Sequence, residues 1–188
     1  MDVRATNIPG VQLLKPRYFF DPRGHFVEIY NKRSARDLGL VACFVQENQS
    51  LSVRRGTIRG LHFQTPPRPQ AKLVRVLHGS VYDVAVDLRI GSPTYGRWTA
   101  ETLTGKGGEQ LFVPQGFAHG FCTLEPSTEV AYKVDDYYAP ECEQGIAWDD
   151  PTLAIDWPVG SADAALSDKD QKLGRFADFV SPFRYHGS

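Results

Sequence analysis

The chain is 188 residues long, 41% hydrophobic and 12% aromatic, enough for one folded domain over residues 1–188 with a sizeable core. Its 21 basic and 22 acidic residues leave a formal net charge of -1, which excludes a general nucleic-acid binder but leaves room for a local basic pocket. No apolar run reaches membrane-spanning length, MDVRATNIPG carries no apolar leader core, and Cys43, Cys122 and Cys142 form no CxxC or paired framework, so a reduced cytoplasmic setting is expected.

Glycines and prolines punctuate short apolar segments along the whole chain, the pattern of many strands joined by turns. In chain order, strands are predicted at His25 to Tyr30, then, after a short helix at Ser34 to Leu38 stopped by Gly39, at Gln46 to Val53. Leu73 to Leu77 and Val81 to Leu88 flank His78-Gly79-Ser80 and read as a β-hairpin. On the second of these, Tyr82, Val84, Val86 and Leu88 share an apolar face that belongs in the core, opposite Val81, Asp83, Ala85 and Asp87. Further strands are predicted at Trp98 to Leu103, Gln110 to Val113, His119 to Leu124 and Glu129 to Val134, with a second helix from Ser167 through Phe176. Many short strands and few helices, the helices mainly near the C-terminus, predict an all-β sandwich or jelly roll, whose inward-facing polar residues are candidate ligand contacts.

Gly108-x5-Pro114-x-Gly116-x2-His119 has the spacing of the second motif of the cupin barrels. A metal-binding cupin adds His-x-His from an earlier motif, where this chain has His62-Phe63-Gln64, and His25, His78 and His186 offer no chelate spacing. A cupin-type jelly-roll β-barrel with no metal and no cofactor is therefore expected, its chemistry carried by organic acid–base groups.

The chain resembles the dTDP-4-dehydrorhamnose 3,5-epimerase family of the cupin superfamily. The resemblance runs roughly from Ile8 to Asp170, through Asp21-Pro-Arg-Gly-His-Phe26, Gln46-Glu-Asn48, Gly56-Thr-Ile-Arg-Gly-Leu-His-Phe-Gln64, Lys72-Leu-Val-Arg-Val76, Asp83-Val-Ala-Val-Asp-Leu-Arg89 and Ser92-Pro-Thr-Tyr-Gly96. It continues through Val113-Pro-Gln-Gly-Phe-Ala-His-Gly-Phe121, Tyr132-Lys133, Tyr138-Ala-Pro140, Trp148-Asp-Asp-Pro151 and Leu166-Ser-Asp-Lys-Asp170.

Inverting a carbon beside a ketone needs a base on one face of the ring, an acid on the other, and a cation or donor for the enolate between them. The resemblance implies His62 as base. Alone, such a histidine reads as a buried tie between two strands; its place in Arg59-Gly-Leu-His62, matching the family's catalytic histidine, reverses that reading. Asp170 is its implied orienting partner, although Ser167-Asp-Lys-Asp170 also reads as a helix cap. Tyr132 is the implied acid, against a core-aromatic reading and with Tyr138 as competitor. Lys72 is the implied enolate stabiliser, against a surface lysine. His119 reads equally as a sugar contact and as a structural remnant of the cupin motif.

For the nucleotide, the resemblance implies Arg23, Arg59 and Lys169 on the diphosphate, Phe19 and Phe26 stacking on thymine, and Glu28 and Asn48 reading polar edges, with Gln46, Glu47 and Glu143 at other binding positions. It also implies a homodimer in which an exchanged N-terminal strand carries Arg23, Phe26 and Glu28 into the partner's site. The implied substrate is a dTDP-4-keto-6-deoxyhexose inverted at C3 and C5. Epimerisation at C3 alone or C5 alone, a metal-dependent cupin enzyme and a non-catalytic sugar-binding cupin are the alternatives.

Overall fold

A computed structural model describes residues 1–40 and 42–187. The strands are β1 (Asp2–Ala5), β2 (Gln12–Lys15), β3 (Tyr18–Asp21), β4 (Gly24–Val27), β5 (Gln46–Ser52), β6 (Ile58–Gln64), β7 (Lys72–His78), β8 (Ser80–Asp87), β9 (Trp98–Thr104), β10 (Gln110–Val113), β11 (Phe117–Thr123), β12 (Thr128–Val134) and β13 (Glu143–Gly145). They form a six-stranded sheet, β1-β2-β10-β7-β12-β5, a five-stranded sheet, β13-β6-β11-β8-β9, and a separate hairpin, β3-β4. The two large sheets enclose the barrel of the expected cupin-type jelly roll.

The hairpin expected between β7 and β8 does not form. β7 pairs with β10 and β12 in one sheet, and β8 with β11 and β9 in the other. Gly79, at φ +78°, is the single residue between them, and its backbone packs against Thr128 with no room for a side chain. The turn is therefore a corner at which the chain changes sheets, and each strand finds better-buried neighbours than the other.

The apolar face of β8 is buried as expected, and the opposite face is buried as well. Val84, Val86 and Leu88 pack outside the barrel wall with Leu61, Phe63, Ile146 and Phe183, under a C-terminal segment anchored by Phe176 and Phe179. Each such aromatic or aliphatic side chain contributes roughly 1.5–3 kcal/mol when withdrawn from water. Val81 and Ala85 face inward, into a cluster with Val74, Leu103, Leu111, Phe117 and Val130. Asp83 and Asp87, on that inward face, are buried too. Asp87 is satisfied locally: it accepts hydrogen bonds from Arg89 Nε at 2.9 Å, Ser92 Oγ at 2.6 Å and Thr94 Oγ1 at 2.7 Å. Burial works to raise its carboxyl, but these donors outweigh it and hold it below the ordinary value. The Asp-Leu-Arg and Ser-Pro-Thr motifs are thus a folding device that ties the β8–β9 loop.

The α-helix, α1, spans Lys32–Asp37, two residues earlier than the apolar pattern suggests. The Asn31 side chain sets its start by accepting from the Arg33 and Ser34 amides, and Gly39, at φ +79°, follows its end. The helix expected from Ser167 to Phe176 is absent. That stretch forms two 3-10 turns, Asp170–Lys172 and Phe176–Asp178, because Gly174 between them is held extended by a backbone bridge to Ile146. Short helical turns do gather in the C-terminal part as expected, with a third 3-10 turn at Pro140–Cys142, while among the described residues the α-helix lies in the N-terminal part. No helix there is long and apolar enough to cross a membrane.

The strand that carries His62, β6, escaped the sequence reading, since Arg59-Gly60 interrupts its apolar run. Gly60 lets β6 approach β11: a Cβ there would sit 2.5 Å from the Gly120 Cα and 2.8 Å from the His119 carbonyl oxygen, at a φ of +129°. Gly60→Ala is expected to destabilise the fold, because strained backbone and overpacking each cost ~1–3 kcal/mol. A shift in the denaturation midpoint checks this; an unchanged midpoint contradicts it.

Candidate functional site

Two adjoining cavities open between the sheets at one end of the barrel. One, of about 260 Å³, is lined by Gln46, Asn48, His62, Phe63, Gln64, Gln70, Lys72, Tyr132, Tyr138 and Glu143. The other, of about 300 Å³, is lined by Ser50, Arg59, His62, Lys72, His119, Phe121, Tyr132, Ser167, Lys169 and Asp170. His62, Lys72 and Tyr132 belong to both, so they form the waist of one cleft. His62 stands on β6, in the five-stranded sheet, and Tyr132 on β12, in the six-stranded sheet. An imidazole and a phenol thus enter a shared space from opposite walls.

His62 Nε2 donates to Asp170 Oδ1 at 2.6 Å, which leaves Nδ1 free to take a proton. The imidazole is 29% exposed and the carboxylate 4%, the arrangement of an orienting group behind a working one. Asp170 is held in turn by Ser167, whose Oγ donates to Oδ2 at 2.9 Å and accepts from the Asp170 amide at 3.1 Å. Burial works to raise the Asp170 carboxyl, but the bonds from His62 and Ser167 prevail and hold it below the ordinary value. The Ser167 contacts thus fix the turn that presents the carboxylate to His62.

Lys72, the first residue of β7, is buried, not a surface lysine. Its Nζ donates to the His62 carbonyl oxygen at 3.2 Å, and burial lowers its pKa to about 8. Tyr132 is half-buried, and burial raises its phenol, so it stays protonated at neutral pH. His119 lies opposite His62 across the β6–β11 pair, and its Nε2 donates to Asp83 Oδ1 at 2.8 Å.

At the outer rim, Glu143 Oε2 receives both the Tyr138 hydroxyl and the Lys169 ammonium, each at 2.6 Å. Gln46 donates to Asn48 Oδ1 at 2.9 Å and accepts from the Tyr138 amide at 3.1 Å, tying the floor to the rim. Arg59 donates to Ser52 Oγ and to the Leu51 carbonyl, both at 3.1 Å, and among the described residues its guanidinium lacks an ion-pair partner, leaving positive charge at the cavity wall.

Some expected residues lie elsewhere. The Glu47 side chain is on the outer face of β5, paired with Lys133 at 2.8 Å, because strand alternation turns it away from Gln46 and Asn48; its expected place in the cleft is corrected accordingly. Phe19, Arg23 and Phe26 ride on the β3–β4 hairpin, Glu28 follows it, and none lines the cleft of its own chain. Arg23 pairs with Asp21 at 2.6 Å, and Glu28 accepts from Asn31 at 3.2 Å. Phe26 is 70% exposed and Phe20 78%.

Asp83, Ser167, Gln64 and Gln70 were not anticipated. Asp83 had a signal, a carboxylate alternating with apolar residues in a long strand. Gln64 and Gln70 had none, since their side chains act through loop carbonyls of Arg68, Tyr137 and Asp136 that only the fold brings near. Among the described residues no group of three or more His, Cys, Asp or Glu side chains converges as for a metal; His62 and His119 each turn Nε2 to a separate carboxylate.

The family described as dTDP-4-dehydrorhamnose 3,5-epimerase matches residues 5–178. The chain belongs to this family. A dTDP-4-dehydrorhamnose 3,5-epimerase of Pseudomonas aeruginosa is 49% identical to it, over 94% of this chain and 97% of that protein. The crystal structure of a Legionella pneumophila dTDP-6-deoxy-D-glucose-3,5-epimerase in complex with dTDP-4-keto-L-rhamnose superposes with a TM-score of 0.93 at 42% identity, covering 99% of each chain. A dTDP-4-dehydrorhamnose 3-epimerase of Streptomyces niveus is 41% identical, over 91% of this chain and 82% of that protein.

Proposed function

We propose that the chain inverts C3 and C5 of dTDP-4-dehydro-6-deoxy-D-glucose to give dTDP-4-dehydro-L-rhamnose, acting as one cupin-type domain in the cytoplasm. The observation that supports this best is the pairing of His62 and Tyr132 on opposite sheets about one cleft, with a buried ammonium between them.

The 4-keto group acidifies the hydrogens on C3 and C5. His62 Nδ1 takes one of these protons, and Asp170 stabilises the imidazolium that forms. The carbon–hydrogen electron pair moves into an enolate whose oxygen is met by the Lys72 ammonium. Tyr132 delivers a proton to the same carbon from the opposite face, which inverts it. Solvent then takes the proton from His62 and restores that of Tyr132, and the cycle repeats at the second carbon. Arg59 and Lys169 serve the diphosphate, Asn48 and Gln46 the polar floor, His119 the sugar side, and Tyr138 with Glu143 the rim. The exposed Phe19, Arg23, Phe26 and Glu28 serve the nucleotide bound by a second copy, in a homodimer formed by exchange of the N-terminal strand. A sedimentation mass of a single 21.0 kDa chain would remove that part of the reading.

Incubation with the 4-keto sugar nucleotide in deuterated water tests the reaction. The expected product carries deuterium at both C3 and C5 with both centres inverted. Label and inversion at C3 alone assign the 3-epimerase activity instead, and no label at either carbon ends the proposal.

The enolate role requires charged Lys72, so its contribution to activity is present below its value of about 8 and lost as pH rises through it. Above that point kcat/KM is expected to fall about tenfold per pH unit, the slope of a single titration. A profile flat to pH ~10, the ordinary lysine range, contradicts the role.

A further inference from the structure

The cleft poses a problem of charge. Lys72 is buried, and the one hydrogen-bond acceptor its ammonium meets is the neutral carbonyl oxygen of His62. None of the ion pairs among the described residues includes it. Withdrawal from water favours the neutral amine, and an amine cannot stabilise an enolate.

The groups that line the cleft with Lys72 are His62 on β6, His119 on β11, Tyr132 on β12 and Glu143 on β13, and Asp83 on β8 stands behind this wall, bonded to His119. Arg59, Lys169 and Asp170 complete the surrounding wall. Only Asp83, Glu143 and Asp170 are anionic. Asp170 is committed to His62, and Glu143 shares one oxygen between Lys169 and Tyr138.

Asp83 differs. It is fully buried, its Oδ1 accepts from His119, and its Oδ2 has no hydrogen-bond partner. A buried carboxylate short of donors is unfavourable unless a cation shares its low-dielectric surroundings. His119 is not that cation, because burial lowers its pKa and keeps the imidazole neutral. The Asp83–His119 pair therefore carries one uncompensated negative charge, and Lys72, the buried ammonium that shares the cavity wall with His119 and has no ion-pair partner among the described residues, is the cation available to it.

We propose that Asp83 is the positioning residue that keeps the Lys72 ammonium charged, with neutral His119 holding its other oxygen in place. This deepens the reading of Lys72 as enolate stabiliser and rests on it for the catalytic consequence alone.

The test is an NMR titration of Lys72 Nζ in the whole protein labelled with ¹⁵N-lysine, alongside the pH dependence of kcat/KM, in Asp83→Asn. The expected result is an Nζ value lower by about one unit or more, since a nearby opposite charge shifts a pKa by ~1–3 units. The alkaline limb should move to lower pH by the same amount. His119→Gln, which spares the carboxylate, should leave Nζ near the wild-type value. An Nζ value unmoved by Asp83→Asn overturns the proposal, and so does an equal shift from His119→Gln, which would assign the effect to packing. A shifted Nζ with an unmoved alkaline limb supports the role of Asp83 and rejects Lys72 as enolate stabiliser, so the two failures are distinguishable. Asp83→Ser, smaller and open to water, carries the same expectations if the asparagine variant does not fold.

Discussion

His62→Ala is expected to lower kcat for epimerisation by about 10²–10⁴-fold, the usual contribution of a positioned general base, and to abolish solvent exchange at C3 and C5 alike. The imidazole has a carboxylate behind it and opens to the cleft: Nε2 is occupied by Asp170 at 2.6 Å, and Nδ1 is left over, whereas His119, backed in the same way by Asp83, is buried. Loss of a proton acceptor stops the reaction at its first step, so no later partner can compensate. The substitution also leaves the buried Asp170 with one donor fewer, which costs about 1–3 kcal/mol of stability, so a melting curve must accompany the rate. His62→Asn, which can still donate to Asp170, separates the two effects: it should recover stability and none of the exchange. Exchange in His62→Ala within tenfold of wild type would place the base elsewhere.

Tyr132→Phe is expected to divide the reaction at its middle. The phenylalanine ring keeps the packing of Tyr132 against the barrel core. His62 can still remove a proton and Lys72 can still hold the enolate. What is missing is a donor on the opposite face, so inversion should fall by about 10²-fold or more while deuterium continues to enter substrate of unchanged configuration. Mass and stereochemistry of recovered sugar, read together, check this. Equal and small losses of exchange and inversion would make Tyr132 a packing residue and pass the acid role to Tyr138, whose hydroxyl donates to Glu143 at the rim.

His62, Lys72, Tyr132 and Asn48 all reach the cleft: for Tyr132 and Asn48 strand alternation and the family pattern agree, whereas His62 and Lys72, outside the predicted strands, were legible through the family pattern alone. Glu47 fell inside the same motif as Gln46 and Asn48, yet the period of two that brings those neighbours inward turns it out toward Lys133. The β7–β8 hairpin failed for a related reason. Local turn chemistry at Gly79 fits a reversal, but pairing partners are chosen by burial across the barrel, which a short window of sequence does not contain. The apolar face of β8 was legible as core, but the burial of the opposite face with Asp83 was not, because a wall strand in a jelly roll is covered outside by the C-terminal segment and inside by the other sheet. The C-terminal helix was lost to Gly174 and to the inward turn of Asp170, both set by contacts distant in sequence.

The central claim is geometric, and a crystal structure of the protein with a non-reactive dTDP-hexose tests it most directly. The account predicts the hexose ring at the waist of the cleft, His62 Nδ1 against one face and the Tyr132 hydroxyl against the other, with Lys72 Nζ nearest the oxygen on C4. A ring bound away from these groups, or with the imidazole and phenol on the same face, would contradict it.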